Sequence, residues 1–375
     1  MSLAMSAVMI LFGGQDLEGW ITLAGRWGVE NGAMVCKAAP ASIRSSYESD
    51  QFILSFEYRC TGKGRHSLYL HSKLDVPSGA IGLLLTPKGL VNTGSASSAF
   101  SPQLSTGEDG WIKVQVDIDK DICRVASSDA AGNRNPDFTL PVAVGSRGFI
   151  RFEAAEPGLQ IRNVKAVEPG FTSMFDGKTL EGWEIQGRRN PNYKGPGWYF
   201  KNGILHCVGK KTHWLRSGRN YDNLIIRLEY QLPNRGNSGI YLRAPKEGWI
   251  SRTGLEIQLI DEQSYEGRLK PYQRSGSVYA GFPPEVAVSA PKDQWNAIEV
   301  LLEGKRIRTI LNSVRLYDAY LDDVKKDLGS SIHPLATRPA VGYVGFQDHH
   351  SPAKFRNVRI RELGKSPTTQ TAPAR

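Results

Sequence analysis

Side chains that can move protons or stabilise an anion are concentrated in three short runs of the C-terminal half of the chain. The run LEIQLID (255–261) places Glu256 and Gln258 two residues apart, so both side chains face the same side of a strand. A carboxyl group, an imidazole and a guanidinium in one cleft are the groups used in general acid–base catalysis and anion stabilisation. The candidates from this run, from GNSGIYLRA (236–244) and from QDHHSPAKFRN (347–357) are Asn237, Tyr241, Arg243, Glu256, Gln258, Gln347, Asp348, His349 and Arg356.

A tandem repeat places these runs in the second of two similar units. The first copy opens with LFGGQDLEGW (11–20) and the second with MFDGKTLEGW (174–183). The period is much longer than a solenoid repeat, so each copy is a whole domain with its own core. We predict domains at 8–168 and 169–364, followed by a disordered tail at 365–375 that is rich in Pro, Thr and Ala.

The first copy lacks several of the polar residues that the second copy carries. Where the second copy has LEIQLID, the first reads AIGLLLT (80–86), without an acid or an amide. The run GNSGIYLRA is predicted to carry Asn237, Tyr241 and Arg243 on one face, whereas the first copy keeps only a tyrosine, Tyr69, and has a histidine in place of the arginine.

The third run differs in the same direction. We place Ala154 opposite His349, and Gln160 at or next to the position of Arg356. A duplicated fold can lose function from one copy while it keeps its core, so these differences indicate that the functional site lies in the second copy.

Strand patterns dominate both copies. Runs such as FILSFEYR, LIIRLEYQL and AIEVLLE alternate apolar and polar residues or are rich in β-formers, and turn pairs such as NG and DG separate them. Only DAYLDDVKK (318–326) has the pattern of a short helix. Many short strands in each copy predict an all-β chain built from two antiparallel β-sandwiches.

The charge distribution is uneven between the copies. Residues 1–168 hold 16 Lys and Arg against 17 Asp and Glu, which leaves 31 against 20 of the totals 47 and 37 for the rest of the chain. No nucleic-acid-binding motif accompanies this basic half, so we predict no nucleic-acid partner. No apolar run reaches membrane-spanning length. Cys36 and Cys207 occupy matching places after Asn-Gly turns and are predicted to be buried core residues.

Residues 174–363 resemble the 3-keto-disaccharide hydrolase family. The matching motifs are FDGKTLEGW, NGILHCVG, GNSGIYLRA, GLEIQLID, SGSVYAG, QWNAIEVLLEGKRI and VGFQDHHSPAKFRNVRI, and they cover nearly the whole second copy in order. The resemblance implies a concanavalin A-like jelly roll, with residues 11–168 as a degenerate second copy. The expected fold is therefore two tandem concanavalin A-like jelly-roll β-sandwiches.

The resemblance also implies cleavage of a glycoside that has been oxidised at C3. A C3 ketone acidifies the hydrogen on C2, so a base can remove it and the C1–oxygen bond then breaks by elimination, with water adding back. Glu256 or His349 would be the base, and His349 would also protonate the leaving oxygen. Arg243 or Arg356, with Gln258, would stabilise the enolate.

Two other functions remain open on the sequence. One is a non-catalytic carbohydrate-binding module, because jelly rolls of this type serve as lectins as well as enzymes. The other is a two-carboxylate glycosidase, although the E-x-D-x-x-E motif of lectin-like glucanases is absent. A Glu–Arg pair across strands could also be a purely structural ion pair.

The sequence leaves the cofactor and the identity of the substrate open. A divalent metal held by Glu256, Asp261 or His349 could take over enolate stabilisation, but no ligand spacing is diagnostic. The expected partner is an oligosaccharide or glycoside, and the family likeness implies a periplasmic or secreted protein. The sugar, the linkage and the oligomeric state cannot be predicted.

Overall fold

Alternating apolar and polar residues form strands along most of the chain. Phe52, Leu54 and Phe56 are buried within one strand while the residues between them are half-buried, as in a strand with one face on a core. Among the described residues no helix is long and apolar enough to cross a membrane. The structure, a computed structural model, describes residues 7–60, 65–73, 80–92, 110–186, 195–210, 214–248, 250–265, 267–324 and 334–364.

The chain forms an N-terminal unit, Met1–Phe171, and a C-terminal unit, Thr172–Arg375. The strands described in the N-terminal unit are β1 (Ala7–Phe12), β2 (Trp20–Glu30), β3 (Ala33–Ser49), β4 (Phe52–Cys60), β5 (His66–Ser72), β6 (Ile81–Thr86), β7 (Gly89–Asn92), β8 (Ile112–Asp119), β9 (Ile122–Asp129), β10 (Phe138–Pro141), β11 (Gly148–Ala154) and β12 (Leu159–Glu168).

One antiparallel sheet curls around the core of the N-terminal unit. Its strand order is β10-β9-β8-β4-β12-β3-β11-β5-β6-β7, with β1 beside β12 and β2 beside β3. The start of β3 pairs with β12 and its end pairs with β11, so this long strand joins two layers. Leu54, Leu68, Ile112 and Phe152 from these layers share one buried core.

The C-terminal unit contains further strands and one short helix. They are β13 (Thr172–Ser173), β14 (Trp183–Gln186), β15 (Trp198–Lys201), β16 (Ile204–Cys207), β17 (Trp214–Tyr221), β18 (Leu224–Gln231), β19 (Asn237–Ala244), α1 (Ile250–Thr253), β20 (Leu255–Ile260), β21 (Trp295–Glu303), β22 (Arg306–Leu311), β23 (Val314–Tyr320), β24 (Gly342–Gln347) and β25 (Ala353–Glu362), with 3-10 turns at Glu262–Tyr265, Pro271–Gln273, Leu321–Asp323 and Leu335–Thr337.

Two antiparallel sheets pack face to face in the C-terminal unit. The eight-stranded sheet has the order β15-β16-β25-β18-β21-β22-β23 with β13 beside β25, and the five-stranded sheet has the order β14-β17-β24-β19-β20. Leu228 and Phe355 from the first sheet share a core with Ile240 and Phe346 from the second. The rings of Phe346 and Phe355 meet at 4.7 Å between centroids. The prediction of tandem all-β sandwiches is confirmed.

The strand order also confirms that the units are copies of one fold. The path β23-β22-β21-β18-β25 matches β10-β9-β8-β4-β12, and β24-β19-β20 matches β11-β5-β6. The continuous strand β3 corresponds to two separate strands, β16 and β17. Cys36 and Cys207 lie at equivalent places, both buried in their cores as predicted.

The predicted helix at 318–326 is wrong. Strand β23 continues through Tyr320 because it pairs along its length with β22, and Asp318 bonds Arg306 on that neighbour at 2.8 Å. A single 3-10 turn, Leu321–Asp323, follows. Residues 325 and 326 and the predicted tail at 365–375 lie outside the described residues.

Candidate active site

The five-stranded sheet of the C-terminal unit carries polar side chains on the face that points away from the core. Ile240, Ile257 and Phe346 point into the core from β19, β20 and β24. Since side chains alternate along a strand, their neighbours Tyr241 and Glu256 project from the opposite face. We call this polar surface the site face.

Three predicted residues are joined by hydrogen bonds on the site face. The amide nitrogen of Gln347 donates to the Tyr241 hydroxyl at 2.6 Å and to Oε1 of Glu256 at 2.9 Å. Tyr241 and Glu256 are directly opposite one another across β19 and β20. The neighbour of Tyr241 on the same face of β19 is Gly239, where a Cβ would lie 2.9 Å from Oε1 of Glu256. A glycine therefore leaves the room that this carboxyl occupies.

The Glu256 carboxyl lies in an environment that favours its neutral form. Its side chain is 3% exposed. Burial raises its pKa to about 8, although the hydrogen bond from Gln347 and the positive charge of Arg338 oppose that rise. Glu256 is therefore largely a carboxylic acid at neutral pH, able to donate a proton.

A short extended segment lengthens the site face beyond β20. The Tyr279 amide donates to the Glu256 carbonyl at 2.9 Å, and the Gln258 amide donates to the Ser277 carbonyl at 3.0 Å. Tyr279 is thus placed next to Glu256 at the sheet edge, with its ring edge-on to Tyr272 at 5.8 Å. Gln258 is buried on the same face as Glu256, as its spacing predicts.

Aromatic and apolar side chains border the carboxyl on the other side. Trp214 of β17 packs edge-to-face on Tyr241, with centroids 5.6 Å apart. Ile250 of α1 belongs to the same buried cluster as the two rings and Ala244. These rings and apolar side chains are themselves buried and exclude water from the side of the site face where Glu256 lies.

Two amide oxygens on the site face accept no hydrogen bond within the described part of the chain. They are Oδ1 of Asn237, on β19, and Oε1 of Gln347. Buried acceptors without a partner are uncommon in folded proteins because each costs about 1–3 kcal/mol.

The loop after β24 holds the predicted Asp348 and His349. Oδ1 of Asp348 accepts the backbone N–H of His350 at 3.1 Å, and its charge helps to raise the pKa of buried Cys207. Asp348 therefore stabilises this loop, and its side chain lies on the side opposite to that of Gln347. His349 is exposed to solvent, and its ring lies edge-on to that of His350 with the centroids 5.7 Å apart. Desolvation of its ring, with a smaller effect of His350, lowers its pKa.

Arg243 lies elsewhere, and its predicted place beside Asn237 and Tyr241 is wrong. A bulge between Tyr241 and Ala244 breaks the alternation of β19, and Arg243 has φ of +48°. Its guanidinium donates to the carbonyl of Gly304 at 2.7 Å and to Oδ1 of Asn223 at 3.3 Å, both beside the eight-stranded sheet. Arg243 therefore ties the two sheets together at their ends.

Arg356 is also absent from the site face, so its predicted place beside Glu256 is wrong. It lies on β25 of the eight-stranded sheet, next to the core residue Phe355 but on the opposite face. Its guanidinium pairs with buried Glu229 at 2.7 Å and lies over the ring of Trp295 at 4.2 Å. Arg356 thus points away from the sandwich on the side opposite to the site face.

The N-terminal unit contains the same ion-pair cluster. Arg162 pairs with Glu57 at 2.7 Å and lies over the ring of Trp111 at 4.0 Å. The asparagine that follows each arginine donates to the same glutamate, Asn163 at 3.2 Å in the first copy. A cluster kept by both copies serves the fold, so the alternative reading of this Glu–Arg pair as structural is the one the geometry supports.

Strand register also corrects the comparison between the copies. The pairing of β11 with β5 and of β24 with β19 aligns Phe152 with Phe346. His349 is therefore replaced by Ala155, not Ala154, and Arg356 by Arg162, not Gln160. On the site face, the first copy replaces Glu256, Gln258, Gln347 and Trp214 with Gly82, Leu84, Glu153 and Ser42.

The guanidinium that acts on Glu256 belongs to Arg338, which the sequence did not indicate. Arg338 is buried in the loop before β24, and its charge lowers the pKa of Glu256. Its Nη1 donates to the carbonyls of Gly254 at 2.6 Å and Ser251 at 3.2 Å. No periodicity or motif marks it, because the contact joins a loop to a strand far away in the sequence.

The predicted metal ligands are not brought together. Oδ2 of Asp261 accepts the backbone N–H of Arg235 at 2.8 Å and the hydroxyl of Ser264, so this carboxylate organises the loop after β20. Within the described ranges, no group of three or more His, Cys, Asp and Glu side chains is arranged to hold a metal ion. Metal dependence stays a prediction.

Comparison with known proteins yields a family match and several relatives. The model of the 3-keto-alpha-glucoside-1,2-lyase-like domain matches residues 170–361. The chain is similar to a 3-keto-disaccharide hydrolase of Bacteroides thetaiotaomicron, with 22% identity over 231 residues that cover 52% of this chain and 79% of the relative.

Solved structures with similarity to the chain include two Parabacteroides distasonis proteins named as glycosyl hydrolases. One has 28% identity and a TM-score of 0.44, covering 52% of this chain and 94% of the other. The second has 24% identity and a TM-score of 0.44, covering 52% and 99%.

Proposed function

The chain belongs to the 3-keto-alpha-glucoside-1,2-lyase-like domain family through residues 170–361, and on that premise we propose that its C-terminal unit cleaves 3-keto-glycosides with net hydrolysis. Family membership and the name of the curated relative support a carbohydrate hydrolase as the broader assignment. Elimination through C2 is the finer part of the proposal.

The proposed reaction needs a base, an acid and donors to the keto oxygen. The base removes the proton from C2, and the electron pair forms an enolate that the C3 ketone stabilises. The enolate then expels the C1 oxygen, which takes a proton from the acid. Water adds to the resulting enone at C1, and a proton returns to C2, so the sum is hydrolysis.

The pKa of Glu256 is raised and that of His349 is lowered, so the two side chains suit different proton transfers. Glu256, with a pKa raised to about 8, is protonated at neutral pH and suits the acid for the departing oxygen. His349, with a lowered pKa, is a neutral imidazole there and suits the base for C2. The amide of Gln258 and the hydroxyl of Tyr241 are the neutral donors on the same face that support the enolate oxygen.

One observation carries this proposal. Glu256 is a buried carboxyl that accepts a hydrogen bond from Gln347 on the site face, and the first copy has Gly82 in its place. A structural role would give both copies the same group, as it does for the Arg356 cluster. A carboxyl kept in only one copy, with a raised pKa, is a candidate for proton transfer.

The test compares a glucoside with its 3-keto form. We expect the protein to release the aglycone from the 3-keto-glucoside and not from the parent glucoside, because only the ketone acidifies C2. In deuterated water the recovered 3-keto sugar should carry deuterium at C2. Aglycone release is measured by chromatography and deuterium by mass spectrometry.

The outcomes separate the candidate functions. Equal release from both glucosides would support an ordinary glycosidase and contradict elimination. Binding of both without release would support a carbohydrate-binding module. A loss of release in Glu256→Gln, with binding kept, would place the chemistry at the site face.

The two proton transfers predict a bell-shaped pH dependence of kcat/KM. Activity should fall as pH rises through about 8, where Glu256 loses its proton. It should fall on the acid side below the ordinary histidine range, because His349 has a lowered pKa and must be neutral. His349→Ala should lower kcat by roughly 10²–10⁴-fold and remove the acid limb. His206→Ala is the matched control, and loss of the acid limb in that variant instead would contradict the assignment.

A further inference from the structure

Arg338 is buried in the C-terminal unit, and the proposed proton transfers leave it without a role. It is 7% exposed, and it lies in the loop between the 3-10 turn Leu335–Thr337 and β24. Burying an arginine carries a desolvation cost that its contacts must offset. A buried cation near a buried carboxyl therefore needs an explanation in terms of both groups.

The contacts of Arg338 fix its guanidinium at the start of β20. Its Nη1 donates to the carbonyls of Ser251 in α1 and of Gly254 just after it. Gly254 precedes Glu256 by two residues, so the guanidinium is attached to the backbone that leads into the carboxyl. The same bonds hold α1, whose Ile250 lies in one buried cluster with Trp214 and Tyr241.

The other groups that face Glu256 are neutral or engaged elsewhere. Tyr241 from β19 is a neutral phenol, because burial and the nearby Glu256 raise its pKa well above its ordinary value. Gln347 from β24 is an uncharged amide. Tyr279 contacts Glu256 through its backbone N–H, which donates to the Glu256 carbonyl. Arg216 from β17 pairs with Glu184. Burial raises the pKa of Glu256, and among the described residues Arg338 is the cation whose charge opposes that rise.

We propose that Arg338 is a positioning residue of the site, which fixes α1 and the backbone that leads into Glu256 through its hydrogen bonds to the carbonyls of Ser251 and Gly254. This inference deepens the proposed function and rests on it for its catalytic meaning. The effect of Arg338 on the Glu256 carboxyl can be measured without any substrate.

The test is a titration of the Glu256 carboxyl in the free protein. Carbon-13 labelled glutamate is followed by NMR, and the Glu256 signal is identified by its loss in Glu256→Gln. Replacement of Arg338 by methionine removes the charge and the bonds to α1, so the midpoint should rise by about one pH unit or more. Arg338→Lys keeps the charge and should return the midpoint most of the way.

A matched control separates charge at this place from the loss of any buried arginine. Arg243 is equally buried and also bonds a backbone carbonyl, that of Gly304, but it lies beside the other sheet. Arg243→Met should leave the Glu256 midpoint unchanged. If either methionine variant does not fold, Arg338→Lys against Arg338→Gln gives the same comparison.

Two results would overturn the inference. An unchanged Glu256 midpoint in Arg338→Met or Arg338→Gln would show that the charge does not act on this carboxyl. A shift of equal size in Arg243→Met would show a general loss of structure. In kinetics, the alkaline limb should move upward with the NMR midpoint. If the wild-type protein releases nothing from a 3-keto-glucoside, the proposed function fails while the titration result stands.

Discussion

Glu256→Gln is expected to abolish most of the activity and to stabilise the fold at the same time. Glutamine has the shape of glutamate and can bond Tyr241 and Gln347, but it cannot give a proton to a leaving oxygen. Loss of one general acid lowers kcat by roughly 10²–10⁴-fold. The measurement is the rate of aglycone release from a 3-keto-glucoside at pH 7.

The stability change follows from the raised pKa of Glu256. A carboxyl whose folded-state pKa lies above its unfolded value favours the fold fully below the unfolded value of 4.5. That contribution is lost as pH rises to about 8, at about 1.4 kcal/mol for each pH unit. Glutamine does not ionise, so the variant should unfold at the same temperature as the wild type near pH 4 and at a higher temperature at pH 8.

A matched control is available on the other sheet. Glu303 ends β21 and is exposed, so Glu303→Gln should change neither the activity nor the pH dependence of unfolding. A Glu256→Gln variant that keeps near-full turnover would contradict the assignment of Glu256 as the general acid. A variant less stable than the wild type at pH 8 would contradict the buried, neutral state of the carboxyl.

Arg356→Met is expected to destabilise the C-terminal unit by about 3–5 kcal/mol, because it removes the arginine that pairs with the buried Glu229 carboxylate. The Glu229 side chain is 2% exposed, and it also accepts a hydrogen bond from Asn357. The loss is measured by urea unfolding of the C-terminal unit. The folded fraction should keep its affinity for a glycoside, because Arg356 lies on the outer face of the eight-stranded sheet and the site face belongs to the five-stranded sheet.

Two further variants decide between structural and catalytic roles for Arg356. Arg219→Met removes an exposed arginine that pairs with exposed Glu362, and it should cost at most about 1 kcal/mol. Arg162→Met should weaken the N-terminal unit in the same way as Arg356→Met weakens its own unit. A fully stable but inactive Arg356→Met variant would restore the catalytic role that the sequence suggested.

Much of the site face could be predicted from short-range pattern alone. Glu256 and Gln258 are two residues apart on a strand, and the period of two places them on one face whatever the rest of the fold does. Gln347 stands out as one of the polar residues of the run QDHHSPAKFRN. The hydrogen bonds that join Gln347 to Tyr241 and Glu256 depend on the register of three strands, which no single run contains.

The arginines were misplaced for two physical reasons. Arg243 follows the period of two only until the bulge, where one extra residue turns its side chain toward the other sheet. The sequence comparison places Gln160 opposite Arg356, two residues away from its true equivalent. That equivalent is Arg162, which makes the same ion pair in the first copy. Pairing of strands set the correct alignment, and it showed which polar groups both copies share.

The sequence by itself determined the duplication, the all-β class and the faces of uninterrupted strands, because these follow from repeats and from local alternation of apolar and polar residues. The tertiary structure decided which charged groups meet: Arg338 reaches Glu256 from a loop, while Arg243 and Arg356 join other partners. Contacts across loops, bulges and strand registers depend on how distant segments pack, and local sequence pattern carries no record of that packing.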